Sequence, residues 1–184
     1  SADPIARLQS ADPVERARAC ADLASAAHRG PRAYRTLAET MRRDLSERVR
    51  LRAAVASLTY EGEEPLQNAE AFLKTEPGAE VRAELLLALS TEPAHRDDPE
   101  ATRLISSILA EDQSNEVRRT AARALSLRGD QSARRGLIIA AQNDKSQEVR
   151  NAAARALALL STKPKAKAKP KPPKPPKPDA VFGK

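Results

Sequence analysis

The sequence contains few of the side chains that usually fill a globular core or carry out catalysis. In 184 residues there is no tryptophan, and there are two phenylalanines, two tyrosines and one cysteine. Because a single cysteine has no partner, a disulfide within the chain is excluded, and we expect Cys20 to be a small buried hydrophobic residue. Apolar residues make up 40% of the chain but aromatic residues only 2%. The interior is therefore predicted to consist mainly of alanine and leucine.

Long apolar runs and catalytic motifs are also missing. No segment is long and apolar enough to span a bilayer or to act as a secretory signal, so we expect no membrane insertion and, by default, a cytoplasmic location. His28 and His95, of which His95 is predicted to lie in a loop, have no cysteine or paired carboxylates at metal-ligand spacing. The sequence has no phosphate-binding glycine loop and no Ser/His/Asp pattern. We therefore expect a protein without enzymatic activity, with no catalytic residues, no metal and no cofactor.

What the sequence does contain is an internal repeat. The stretch DQSNEVRRTAARAL at 112–125 recurs as DKSQEVRNAAARAL at 144–157. On a helix of 3.6 residues per turn, Val117 and Leu125 share one face, and Arg123 lies on the opposite face. Small residues on the buried face allow a neighbouring helix to approach closely. This pattern predicts stacked helical units, each of which packs only against its neighbours.

Three degenerate copies of the repeat precede these two. The valine recurs at positions 49, 81, 117 and 149, with spacings of 32, 36 and 32 residues. In the first copy Glu15 replaces it, and the helix is predicted to run to about His28. A period of this length fits a two-helix unit. We expect ten helices and no strand in five units, whose approximate bounds are 1–30, 31–62, 63–93, 97–129 and 130–161.

The Asp-x4-Val-Arg-x2-Ala-Ala-x-Ala-Leu pattern resembles the motif of the HEAT and HEAT-like repeat family over roughly residues 1–160. The resemblance implies an all-α, right-handed α-solenoid of about five two-helix repeats, whose motif helices line the concave side. It also implies a ladder of side chains between repeats, formed here by Asp112, Arg118, Asp144 and Arg150. The two arginines are then ladder partners rather than ligand contacts. Units one to three lack part of the motif, and the fold alone implies no particular activity.

From residue 163 the composition changes abruptly. Residues 163–184 contain eight lysines, seven prolines and a single acid, Asp179, which gives this segment the whole formal charge of +7. The 24 basic and 24 acidic residues of 1–162 cancel. Such a segment cannot bury enough apolar surface to offset its chain entropy, so we expect it to be disordered, with a local polyproline II preference. It resembles the Lys/Pro/Ala-rich tails of linker histones.

A polycationic tail without aromatic or arginine side chains is expected to contact nucleic acid without sequence preference. Three other roles remain open for it: a spacer, a contact with anionic lipid and, through its PxxP sequence, a ligand for an aromatic groove. Val181 and Phe182, near its end, are candidates for a short docking peptide. The lysines predicted to contact nucleic acid are Lys163, Lys165, Lys167, Lys169, Lys171, Lys174 and Lys177.

The residues opposite the packing seam differ between units. They change from apolar in the second and third units to arginine in the fourth and fifth. If this face is concave, it forms a graded groove for a peptide or helix of a partner protein. The alternative is that the central units bury both sides of the motif helix. The candidate groove residues are Leu51, Val55, Leu58, Leu87, Arg119, Arg123 and Arg155.

These patterns predict a non-enzymatic scaffold that binds a protein partner in the solenoid groove and contacts nucleic acid through its tail. One alternative is a nucleic-acid-binding protein in which Arg119, Arg123 and Arg155 join the tail on phosphates. Another is a protein–protein adaptor with an inert spacer tail. We expect a monomer by default, and a nucleoid-associated or nuclear location if the tail binds DNA.

Overall fold

A computed structural model of the chain describes residues 3–25 and 27–162. Within these ranges the chain forms ten α-helices and two short 3₁₀ helices and contains no β-strand, which confirms the predicted all-α fold. No helix in this part of the chain is long and apolar enough to cross a membrane. The α-helices are α1 (Pro4–Arg7), α2 (Pro13–Ala24), α3 (Pro31–Arg43), α4 (Glu47–Leu58), α5 (Glu63–Thr75), α6 (Ala79–Thr91), α7 (Pro99–Glu111), α8 (Asn115–Arg128), α9 (Arg134–Asn143) and α10 (Gln147–Thr162). The 3₁₀ helices, Pro93–His95 and Gln131–Ala133, precede α7 and α9.

Aspartate followed by proline starts three of the helices. Asp3, Asp12 and Asp98 each precede a proline at the first helical position, which needs no backbone N–H. Their side-chain oxygens accept the backbone N–H two residues further on, at 3.1, 2.8 and 2.9 Å. These caps satisfy donors that the helix itself leaves without partners. The starts of α1, α2 and α7 therefore follow directly from the sequence.

The helices form five consecutive two-helix units that stack in chain order. The second helices of the units (α2, α4, α6, α8 and α10) pack closely against one another, whereas the first helices touch their counterparts at few places. In a curved stack, the helices on the inner side lie closer together than those on the outer side. Because the second helices are the more closely packed, they form the inner, concave side. Each unit contacts mainly the units before and after it, which is the architecture of an α-solenoid.

The interior is aliphatic, as the composition predicted. Among the described residues, the largest fully buried side chains are ten leucines, one isoleucine and one methionine, and no aromatic ring belongs to this group. Cys20 is fully buried, and this burial raises the pKa of its thiol to about 12. The thiol is therefore protonated at neutral pH, and Cys20 acts as a small packing residue, as expected.

Helix α2 is shorter than the sequence predicted. It ends at Ala24 rather than near His28, because Ser25 takes an extended conformation with φ −68° and ψ 151°. The Ser25 hydroxyl donates a hydrogen bond of 2.6 Å to the carbonyl of Asp22. A side chain that satisfies a terminal carbonyl offers the backbone an alternative to another helical turn. His28 consequently lies in the loop before α3, with its Nδ1 3.1 Å from the Ser25 hydroxyl.

The long interruption between the third and fourth units folds around one arginine. Arg128, at the end of α8, donates from Nη2 to the carbonyls of His95, Arg96 and Asp98 at 2.9, 3.1 and 2.9 Å. Burial lowers the pKa of this guanidinium, although neighbouring aspartates act to raise it. His95, which the sequence placed in a loop, is 1% exposed within a 3₁₀ helix. The insertion is thus an integrated part of the fold.

A ladder of arginine and acidic side chains joins the units. The arginine is always the fourth residue of a second helix, and the acid directly follows the first helix of the next unit. Each guanidinium donates from Nε and Nη2 to both oxygens of one carboxylate, at 2.7 to 2.9 Å. Such paired hydrogen bonds fix orientation as well as distance. The pairs are Arg16–Asp44, Arg50–Glu76, Arg82–Asp112 and Arg118–Asp144.

Each ladder arginine also binds the turn of its own unit. In the fourth unit, Nη1 of Arg118 donates to the carbonyls of Asp112 and Gln113 at 2.9 and 3.2 Å. Its acid partner Asp144 in turn accepts the backbone N–H of Ser146 at 2.8 Å. Equivalent bonds occur in the other three pairs. One guanidinium therefore ties together the turns of two successive units.

The ladder differs from the one that the family resemblance implied. The pair Arg118–Asp144 is confirmed, but Asp112 pairs with Arg82 of the preceding unit. Arg150 donates to the Asp144 carbonyl and to Gln147, and it forms no ion pair with any described residue. The ladder also extends through units one to three, where part of the motif is missing. The contact needs only an arginine and a carboxylate at these two positions, so the rest of the motif can vary.

We predict that removing one ladder arginine destabilises the solenoid far more than removing an exposed arginine of the same helix. Arg118→Gln leaves the Asp144 carboxylate buried without its cation, which costs about 3 kcal/mol. Arg123→Gln is the matched control, because Arg123 is exposed and forms no ion pair with a described residue. Its expected effect is within about 0.5 kcal/mol. Urea unfolding of both variants measures the difference, and equal effects would contradict a structural role for the ladder.

The ladder also predicts how stability depends on pH. Hydrogen bonds from Arg16 and Arg118 lower the pKa of Asp44 and of Asp144. Burial acts to raise the pKa of Glu76, but hydrogen bonds from Arg50 and the Gly78 N–H outweigh it, so this pKa is lowered too. Since folding lowers these pKa values, the stabilisation is complete above the ordinary values of 3.8 and 4.5 and is lost as the pH falls through the lower folded values.

We therefore expect the urea midpoint to stay level above the ordinary carboxyl pKa values and to fall steeply below them. Asp144→Asn should be less stable at neutral pH but should lose less stability on acidification, because the amide does not titrate. Midpoints of the two proteins, measured at intervals between about pH 7 and about pH 2.5, test this. Parallel curves for the two proteins would show that Asp144 does not contribute to the acid sensitivity.

Candidate binding groove

The concave side carries one variable residue from each second helix. This residue is the fifth after the ladder arginine, and because every second helix is held in the same way, its copies line up across the inner layer. We call this set the inner row. Its members, in chain order, are Ala21, Val55, Leu87, Arg123 and Arg155.

The inner row changes character along the solenoid. Val55 and Leu87 are partly buried, and Val55 packs against the hydrophobic core. Arg123 and Arg155 are exposed. Neighbouring helices pack about 8–10 Å apart, so each step along the row covers about that distance. The row therefore presents small or apolar side chains over the first three units and guanidinium groups over the last two.

Two of the predicted groove residues do not reach the surface. Leu51 is 8% exposed and Leu58 is fully buried. Leu58 is the eighth residue after the ladder arginine of its helix. The equivalent residues of α6 and α8, Ser90 and Ser126, are buried too. For these two leucines the prediction of a partner contact is wrong, and the alternative of a two-sided core is correct. Of the four apolar residues predicted to line the groove, only Val55 and Leu87 remain accessible.

The three predicted arginines come together in a groove between α8 and α10. This groove has a volume of about 580 Å³, and small residues of α10 form its floor, which keeps it open. Arg119 lies 3.6 Å from the exposed Glu116, whereas Arg123 and Arg155 form no ion pair with a described residue. The lining itself thus contains three guanidinium groups and one carboxylate, that of Glu148. The lining residues are Arg119, Thr120, Arg123, Ser126, Glu148, Asn151, Ala152, Arg155, Ala156 and Leu159.

The chemistry of this groove is that of an anion-binding surface. A guanidinium group binds a carboxylate or a phosphate through two parallel hydrogen bonds. Within residues 3–25 and 27–162, no three or more His, Cys, Asp or Glu side chains are arranged to hold a metal ion. The floor residues Ala152 and Ala156 of α10 were not predicted. Ala156 is an alanine of the repeat motif, which could have identified it, but the motif was interpreted as packing only; Ala152 stands at a variable position of the motif.

The tail residues lie outside the described part of the chain. These are the seven lysines proposed to contact nucleic acid, Lys163, Lys165, Lys167, Lys169, Lys171, Lys174 and Lys177. The structure therefore adds nothing to the prediction made for them. What it does show is that residue 162 ends α10, the helix that also carries Arg155. The tail starts from the basic end of the inner row.

Stacked two-helix units, a guanidinium ladder and a layer of close-packed inner helices define an α-solenoid of helical repeats. The family model described as HEAT repeats matches residues 92–168, which cover the fourth and fifth units. The same ladder continues through the first three units, so the HEAT-like architecture of the matched residues extends over the described part of the chain. No curated protein matches the chain significantly. Proteins built from HEAT repeats are commonly scaffolds for protein interactions.

Proposed function

We propose that this protein is a non-enzymatic scaffold that holds an elongated segment of a protein partner along its inner row. The observation that carries the proposal is the change along this row from Val55 and Leu87 to Arg123 and Arg155. A partner that complements the row has apolar residues at one end and acidic residues at the other. The tail lysines then contact nucleic acid without sequence preference, so that the scaffold connects a protein with a polyanion.

The spacing of the row suggests the form of the partner segment. Its steps of about 8–10 Å are close to the rise of about 10 Å over seven helical residues. A helix that lies along the row therefore places every seventh residue opposite one member of it. Two apolar residues followed by two acids, each seven residues apart, meet Val55, Leu87, Arg123 and Arg155 in order. Helices that bind in grooves use anchors of this kind.

A second candidate function is direct binding of nucleic acid by the solenoid. The observation that favours it is the position of Arg119, Arg123 and Arg155 near the end from which the tail starts. Arginines and tail lysines would then follow one phosphate backbone. A third candidate is a protein–protein adaptor whose tail is an inert spacer. The three candidates differ in which part of the chain binds which probe.

One experiment separates them. Its probes are a random-sequence DNA duplex and a synthetic helical peptide with two leucines and two glutamates at seven-residue spacing. The proteins are the full chain, a chain that ends at residue 162, and the full-length double variant Arg123→Gln with Arg155→Gln. The control is Arg32→Gln with Arg35→Gln, which removes the same charge from two exposed positions of α3, in the outer layer. Fluorescence anisotropy at several salt concentrations measures both affinities.

We expect opposite effects of the two changes. The Arg123/Arg155 variant should lose at least tenfold in peptide affinity, since each charged hydrogen-bonded contact contributes about 1.5–3 kcal/mol. The shortened chain should keep peptide binding but lose DNA binding. For the full chain, the logarithm of the DNA affinity should fall with the logarithm of the salt concentration, with a slope of up to about −6 for seven lysines. If the shortened chain binds DNA and the arginine variant does not, the solenoid itself is the nucleic-acid site. If DNA binds to neither the full nor the shortened chain, the tail is a spacer.

A further inference from the structure

The face of the fifth unit that points away from the fourth is built like an internal repeat interface. In the fourth unit, α10 covers the corresponding face of α8, where Ala122 and Leu125 are fully buried. Thirty-two residues later, Ala154 is exposed and Leu157 is only partly buried. The two helices carry the same side chains at these positions. The face of α10 therefore has the composition of a covered surface but no described residue that covers it.

The first helix of the fifth unit adds to this face. Ser106 of α7 lies against α9, since its Cβ is 3.9 Å from the point that a Cβ would occupy if Gly136 had a side chain. The equivalent residue of α9 is Ile138, which is 37% exposed. On α10, Arg150 occupies the position of a fifth ladder arginine. It donates to the Asp144 carbonyl and to Gln147 and forms no ion pair with a described residue. We call Ile138, Arg150, Ala154 and Leu157 the end face.

The opposite end of the solenoid is different. There, Arg7 forms ion pairs with Glu15 and Asp22, which gives the first unit a polar outer surface of the kind that terminal repeats need. Ser10 occupies the place of the ladder acid, and its hydroxyl accepts the N–H of Asp12 at 3.1 Å. A second copy stacked head to tail would therefore offer the end face neither a ladder carboxylate nor an apolar surface. Two end faces brought together would place two Arg150 guanidinium groups, and no ladder carboxylate, in one interface.

We propose that the end face is covered by residues 179–182 of the same chain, Asp-Ala-Val-Phe, with Asp179 as the carboxylate partner of Arg150. Asp179 is the only acid in residues 163–184, and Val181 and Phe182 are the only large apolar residues there. The segment thus combines, within four residues, the two chemical features that the end face lacks. Charge and apolar surface are complementary on both sides.

The connecting segment is long enough. Arg150 and Thr162 are twelve residues apart on α10, a distance of about 18 Å along the helix. Residues 163–178 number sixteen and reach up to about 50 Å when extended. The chain can therefore return to the end face without strain. This arrangement leaves the lysines between 163 and 177 available for a polyanion.

Fluorine NMR tests this directly, because the chain has two phenylalanines. With 4-fluorophenylalanine incorporated, Phe72 reports the buried core and Phe182 reports the segment. In the full chain, the Phe182 resonance should be displaced from that of a free Asp-Ala-Val-Phe-Gly-Lys peptide. Leu157→Asp and Asp179→Asn should each move it to the peptide position. An unchanged Phe72 resonance shows that the variant is folded.

A stability measurement supplies a second readout that does not depend on Leu157. A chain that ends at residue 178 should melt about 2–4 °C below the full chain. Arg150→Gln should lower the melting temperature less in the shortened chain than in the full chain. The proposal is overturned if the Phe182 resonance coincides with that of the peptide in the full chain. It is also overturned if its displacement increases with protein concentration, since the segment would then bind a second copy.

Discussion

The fold depends on one interaction that recurs four times, the paired hydrogen bonds from an arginine to the carboxylate of the next unit. Pairs such as Arg82–Asp112 and Arg118–Asp144 lie at the edge where two turns meet, and the same guanidinium also binds the carbonyls of its own turn. Lysine could not replace this contact, because a point charge cannot hold two carboxylate oxygens and two carbonyls in a fixed plane. A solenoid has no long-range contacts to fix the angle between units, so the ladder supplies that constraint.

The ladder also explains where functional variation is located. Residues at fixed distances from each ladder arginine fall into register across the inner layer, so the alanines and leucines between helices are constrained by packing. The residues that point into the concave space are not constrained by packing. They differ between units, from Val55 and Leu87 to Arg123 and Arg155. The family match covers residues 92–168 and establishes the architecture. The partner has to be inferred from these variable side chains, because fold alone does not determine function.

Much of the fold could be predicted because its signals are local. Asp-Pro pairs mark helix starts, and the Val-Arg motif marks each second helix. The errors arose where the outcome depends on neighbours. Leu58 looked accessible on a single helix, but it is fully buried once the helices pack together. His95 looked like a loop residue, but Arg128 from another helix folds the insertion around itself. Glu76 was missed as a ladder acid because the motif has aspartate there. Of the groove, the three arginines were predicted and its alanine floor was not.

The central claim is that the ladder couples neighbouring units in series, and native-state hydrogen exchange of Arg82→Gln tests it most directly. Arg82 belongs to the third unit, so this change removes the contact between the third and fourth units. In the unaltered protein we expect the inner helices to exchange through one shared unfolding event, with similar protection. In the variant, α2 and α4 should exchange in a separate event from α8 and α10. A uniform loss of protection in all five inner helices would contradict the account.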